Sequence, residues 1–405
     1  MVDKNLLFDF TFSATDFIMA CSWVTSVPTP AGSQIPTVVL KINDDNNSVT
    51  LNTIMNEGVR RVCLHSSNST VAPEAHDEDY VILSKVISKL LGQITPQCGT
   101  VRLRLVETGG DYESILLTTK FNRINIALLS ADFNNNCSRE WGDDSKKVGS
   151  FNTSDLFNAA NELSVLCDPS VDDVRFNSLD CAVSGNSLTF MSLDGYVLGT
   201  RRIRGVFEGA DQGFTGKRIV MLNSDIVKMS AASSCSMVDV YASDESITFK
   251  FDDGRMSQIS VLNVEPVDYH NFIMADRADN KIIIDGGEFK STVSRLLSWT
   301  LEDYVTLVVD NSKKLLTVKS FSDDWESSIS IIKSDPNNVN NTIVFPKVTL
   351  NKVIKSYDCD RLMLRYDNNP AGPVMFEEYD NNITKNDDYY EIAMPQNVDE
   401  IMNLG

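Results

Sequence analysis

A single pattern recurs three times along this chain, and it leaves few architectures open. Each third begins with a short apolar strand, passes through a polar residue and enters an amphipathic helix: FDFTFSATDFIMACSWV, then GSFNTSDLFNAANELSVL, then KIIIDGGEFKSTVSRLLSW. Self-similarity at a long fixed period marks duplicated structural units. Ser13, Thr153 and Asp285 stand where helix caps belong, and Asp16, Asp155 and Glu288 place an acid in each first turn, where the helix dipole favours it. Behind the caps, Phe17, Ala20, Cys21 and Val24 in the first copy and Leu156, Ala159, Ala160 and Leu163 in the second recur at helical spacing.

A second helix follows in each copy, and an alternating strand follows that helix. The pairs are DYVILSKVISKLLGQI before TVRLRLVE, NSDIVKMSAAS before MVDVYAS, and KVTLNKVIKSY before RLMLRYD. Both helix series give a repeat of roughly 120–140 residues, an ordinary domain size. Between the helices lie strand-like stretches such as TVVLKIN, SVTLNTIM, SLTFMSL, YVLGTRRIRGVF, VTLVVD, LLTVKSF and SSISIIK. The expected fold class is α+β, with each copy a pair of helices on mainly antiparallel sheets. The three domains are expected at 1–137, 148–273 and 280–405, the last with a short C-terminal extension.

The chain has 405 residues, with 56 acids against 36 Lys and Arg and a formal charge of −20. A chain so acidic does not bind nucleic acid by bulk charge, and any such contact needs a local concentration of cations. No apolar run approaches the ~18 residues of a membrane span. Asp3, Asp9 and Asp16 interrupt any signal-peptide core, and the eight cysteines show no short paired spacing, so reduced thiols in a cytoplasm are expected.

Short local matches then appear in order. They are Leu129-Ser130-Ala131-Asp132-Phe133, Asp173-Val174-Arg175-Phe176, Ser192-Leu193-Asp194-Gly195-Tyr196-Val197-Leu198, Glu265-Pro266-Val267-Asp268-Tyr269, Pro370-Ala371-Gly372-Pro373-Val374 and Ile392-Ala393-Met394-Pro395. With the threefold repeat, these make the whole chain resemble the bacterial-type DNA polymerase sliding clamps, the DNA polymerase III beta subunit family. The resemblance implies three clamp domains with helices inside and sheets outside, closed into a ring as a head-to-tail homodimer. It implies a processivity factor that encircles double-stranded DNA independently of sequence, tethers a DNA polymerase and is opened by a clamp loader. No catalytic role, metal or cofactor follows from it.

Such a ring needs cations on its inner helices. Candidates are Lys85, Lys89 and Lys228, then Lys290 and Arg295, then Lys347, Lys352 and Lys355; the first helices of copies one and two carry none. The resemblance also places a partner-peptide pocket at Arg175, Leu193, Gly195, Tyr196, Leu198, Val267, Phe272, Ile392, Met394 and Pro395. Aliphatic and Met side chains suit several partners, and a glycine permits close approach. Val197 replaces an arginine of the family pattern and Gln396-Asn397-Val398 its terminal x-R-L, a divergence expected of a bacteriophage with its own polymerase.

Other chemistry finds less support. Gly209–Arg218 has the wrong spacing for a phosphate loop, with Arg218 where a magnesium-holding hydroxyl belongs. Cys63 and His65 have no second ligand pair for zinc. The rival readings are a structural β-rich repeat protein, such as a virion component, and a hydrolase with an unrecognised site at a domain junction.

Overall fold

A computed structural model describes residues 6–26, 35–45, 47–55, 58–106, 114–129, 145–167, 171, 173–184, 187–206, 218–222, 226, 229, 234–265, 280–322, 324–335, 337–379 and 389–393. The first copy runs β1 (Leu6–Ser13), α1 (Ala14–Thr25), β2 (Thr37–Ile42), β3 (Ser48–Met55), β4 (Gly58–His65), β5 (Asn68–Val71), β6 (Tyr80–Leu83), α2 (Ser84–Leu91), β7 (Thr100–Val106), β8 (Ser114–Thr119) and β9 (Arg123–Ala127). The second runs β10 (Lys146–Asn152), α3 (Thr153–Ser164), β11 (Ser178–Ser184), β12 (Ser187–Leu193), β13 (Val197–Val206), β14 (Arg218–Leu222), β15 (Met237–Ala242), β16 (Ser246–Phe251) and β17 (Met256–Ser260). The third runs β18 (Asn280–Asp285), α4 (Gly286–Trp299), β19 (Tyr304–Asp310), β20 (Leu315–Ser320), β21 (Glu326–Ser330), β22 (Lys333–Ser334), β23 (Asn341–Pro346), α5 (Lys347–Ser356), β24 (Arg361–Tyr366), β25 (Val374–Glu378) and β26 (Tyr389–Ala393).

Two compact units emerge, and both cut through the middle copy: Met1–Ser154 with Phe207–Asp211 and Ser224–Val261, and Asp155–Val206 with Gln212–Asn223 and Leu262–Gly405. The cause is strand pairing across copies. In the first unit β6, β2, β3 and β4 of copy one continue through a β4–β17 pairing into β17, β16, β15 and β10 of copy two, antiparallel throughout. In the second unit β14, β11, β12 and β13 continue through a β13–β26 pairing into β26, β25, β24 and β18. Each unit also has a smaller sheet, β5-β1-β7-β8-β9 in the first and β21-β20-β19-β23 in the second.

The helices fill the predicted places, with local differences. Asp285 caps α4 by accepting the Glu288 N–H at 2.7 Å, as its position predicts. Ser13 precedes α1 without a side-chain cap bond, and at α3 the cap is Asn152, whose Oδ1 accepts the Ser154 N–H at 2.9 Å, one residue before the expected Thr153. The second helix of copy one starts at Ser84, not near 79. Tyr80, Val81 and Ile82 are buried, and they pair as β6 with Leu40, Val39 and Val38. Its counterpart near 223 in copy two lies outside the described residues apart from Ile226 and Met229. Helices α1 and α2 pack together, as do α4 and α5.

Each joint is fastened from the first helix of its copy. Trp23 of α1 is buried, and its indole Nε1 donates towards Arg61 O of β4 and Met256 O of β17, both at 3.2 Å. Its ring lies under the Arg60 guanidinium at 4.7 Å and edge-on to Phe251 at 5.4 Å. At the other joint Glu162 of α3 stands at the equivalent helical position, and it accepts from the buried Arg201 of β13, which also donates to the Ser356 carbonyl.

Candidate functional site

Hairpin β12–β13 stands in the middle of the second unit's long sheet, where β13 pairs with β26. Its turn is held by Asp194, whose Oδ1 accepts the N–H groups of Tyr196 at 2.9 Å and Val197 at 2.6 Å. Gly195 has φ +91°, a conformation that costs a side chain strain, and a Cβ there would lie 3.9 Å from the Phe176 ring. The turn leaves Tyr196 55% exposed and directs Leu193 and Leu198 into an apolar cluster with Met191 and Met375, against which Phe176 and Ala182 pack. The β13–β26 register sets Ile392 opposite Leu198, and the β25–β26 register sets it opposite Met375.

The structure thus brings together Leu193, Gly195, Tyr196, Leu198 and the backbone of Ile392 from the expected pocket. Arg175 is chelated by Asp173, with Nε at 2.9 Å and Nη2 at 2.5 Å from its two oxygens, which raises the guanidinium pKa and holds the Asp173 carboxyl below its ordinary value. Val267, Phe272, Met394 and Pro395 lie outside the described residues. The apolar cluster also takes in Met191, Phe176 and Met375, which the expected pocket does not name. Met191 was accessible, since it lies two residues from Leu193 on the same face of a strand. Met375 joins only through the pairing of β25 with β26.

The expected cations divide. Lys85 and Lys89 on α2, Arg295 on α4 and Lys355 on α5 are exposed. Lys290 donates to Tyr357 O at 2.8 Å and Lys347 to Thr300 O at 2.7 Å, so each is partly occupied at a helix end. Lys352 is turned inward and pairs with Asp194 at 2.6 Å. Its place on α5 in sequence suggests an exposed cation; packing against the β12–β13 turn makes it a half-buried ion-pair partner instead. Lys228 lies outside the described residues.

A cavity of about 470 Å³ in the same unit lies between α3, β13 and the segment after α5. Asp155, Glu162, Asp358 and Glu378 line it beside Arg201 and Arg204, a mixed lining in which Arg201 is already engaged by Glu162. No helix among the described residues is long and apolar enough to cross a membrane.

No protein-family model matches the chain, and no curated protein sequence matches it. Solved structures do. The DNA polymerase III subunit beta from Pseudomonas aeruginosa superposes with TM-score 0.79 at 14% identity over 96% of this chain and 100% of that one. The DNA polymerase sliding clamp from Bacillus subtilis gives TM-score 0.80 at 13% identity over 98% and 100%. The DNA polymerase III beta subunit from Thermotoga maritima gives 0.76 at 12% identity over 96% and 100%. With its duplicated strand joints and paired helices, the chain has the α+β fold of the bacterial sliding clamps along nearly its whole length.

Proposed function

We propose that this protein is a DNA sliding clamp: a head-to-tail homodimer that encircles duplex DNA in the cytoplasm and holds a DNA polymerase on its template, without catalysis of its own. A clamp loader would open one joint. At 12–14% identity to the bacterial proteins, the chain is divergent enough to suit a bacteriophage replisome. The three domains expected from the duplication, 1–137, 148–273 and 280–405, are the modules of this reading.

One observation carries it. In the two joints inside the chain, the last strand of one copy pairs antiparallel with the strand closing another copy's first hairpins: β17 with β4, and β26 with β13. By the same count β9 closes copy one and β21 is the counterpart of β4 and β13. Both stand at sheet edges with no outer strand among the described residues. Each has five residues and the same alternation of burial, exposed-intermediate-exposed-buried-exposed. Exposed edges are liabilities that proteins cover. Pairing β21 of one copy with β9 of a second repeats the internal joint, and a head-to-tail contact of that kind either closes or propagates.

The surface around these edges supports closure. Phe121 precedes β9 and Ile332 follows β21, both exposed, while Trp299 and Leu301 at the end of α4 are 77% and 99% exposed. Arg123 on β9 and Glu326 on β21 are exposed and of opposite sign. For the DNA, Lys85, Lys89, Arg295 and Lys355 supply the phosphate contacts, which carry no sequence information. The test is topological. Protein loaded on nicked circular DNA should stay bound at moderate salt and be lost once the circle is cut; equal retention on both forms would exclude encirclement.

A further inference from the structure

We propose that Lys352, through Asp194, is a positioning residue for the partner pocket and makes no contact with DNA. This rests on the clamp reading and names a determinant of its pocket. Asp194 divides its carboxylate: Oδ1 accepts the N–H groups of Tyr196 and Val197, while Oδ2 takes the Lys352 ammonium at 2.6 Å. The side chains are 5% and 16% exposed, so the pair is largely withdrawn from solvent. Beneath it Cys167 Sγ lies 3.2 Å from the buried Ser192 hydroxyl and reaches towards the carbonyls of Leu163 and Ser178. The turn is therefore anchored at both ends of its carboxylate, once to its own backbone and once to α5.

What the anchor holds is the pocket rim. Residues on either side of the turn, Leu193 and Leu198, form the apolar cluster, and the turn itself presents Tyr196. Helix α5 also packs against β13 and β26, so Lys352 ties the turn to the same helix that supports the two strands of the joint. A peptide seated on this surface needs the rim in one place before it arrives, and a pre-ordered rim spares the ordering cost on binding. Lysine placed there acts as a tether. Its charge is already matched and adds nothing to the phosphate count.

The experiment reads both sites. Short overlapping peptides tiled across the polymerase encoded with this chain identify a binder to the full-length protein, and fluorescence polarisation then compares wild type, K352M, K352R, D194N and D194N/K352M. K352M and D194N are expected to weaken peptide binding by about tenfold, with the double variant no worse than either single and K352R restoring most of the affinity. The double variant removes both charges together and so keeps the fold where a single change leaves one buried and unmatched. In parallel, the salt dependence of retention on circular DNA should be unchanged in K352M but shallower by about two counterions per protomer in K85A/K89A. A folded double variant binding peptide like wild type would overturn the proposal, as would a changed DNA salt slope in K352M. Wild type that binds no peptide and is not retained on circles would instead overturn the clamp reading itself, a separate result.

Discussion

Trp23 shows how one side chain fastens two copies of the repeat. It is the largest fully buried side chain among the described residues, it donates to a carbonyl on each strand of the β4–β17 joint, and Arg60 and Arg255 lie over its ring at 4.7 and 5.5 Å. Trp23→Phe keeps much of the apolar area but removes the N–H donor and shrinks the surface beneath the guanidiniums. We expect a loss of about 1–3 kcal/mol, the range for an unmade buried hydrogen bond with a small cavity. Thermal unfolding followed by circular dichroism should show a midpoint several degrees lower. An unchanged midpoint would mean that the strand ladder alone carries the joint. Burial acts on chemistry too. The Cys21 thiol, in the same helix, is pushed up to about 12 by desolvation, so it stays protonated and inert at neutral pH.

At the scale of elements, much of the fold is legible from pattern. The period-two strings at Val101, Leu103 and Leu105 and at Leu362 and Leu364 are strands β7 and β24, and the first helix of each copy lies where the repeat puts it, though only Asp285 caps as expected. Less legible is whatever depends on pairing between distant segments. Residues 80–83 read as helix because they run into an apolar helical stretch, yet their buried β-branched neighbours make them a strand beside β2. Lys352 reads as a surface cation because helical spacing is blind to the turn that packs on it. Of the apolar cluster, Leu193 and Leu198 come from local motif and Met375 only from sheet order. Turn chemistry sits between these cases. In the β19–β20 turn, Asp310 accepts from the Ser312 hydroxyl at 2.6 Å and the Lys313 N–H at 3.0 Å, and these bonds with the Lys313 ammonium lower its pKa from 3.8 to about 2. A depressed carboxylate stabilises the fold above its unfolded pKa, and the contribution fades as pH falls from about 4 towards 2. Asp310→Asn should therefore lower stability by a near-constant amount above pH 5 and flatten the curve between about pH 4 and 2, so that variant and wild type converge in acid. An identical acid limb in the variant would show that the turn contributes nothing to acid stability.

For the whole molecule, the question is whether β9 and β21, edge strands among the described residues, meet. Leu301 is 99% exposed and Trp299 77% exposed at the end of α4, and Phe121 stands exposed before β9. Fully covering a large apolar side chain is worth about 1.5–3 kcal/mol, so two or three of them set most of the difference between a weak and a durable joint. Leu301→Asp places a charge where that cover would form, and we expect the dimer dissociation constant to rise at least ~100-fold, the equivalent of about 2.7 kcal/mol. Sedimentation velocity should show the dimer boundary replaced by monomer at the same protein concentration, with circular dichroism unchanged because the residue touches nothing it could unfold. Leu301→Asp should also lose retention on circular DNA. If Leu301→Asp remains a dimer, the copies associate through some other surface, and the repeated joint does not close the ring.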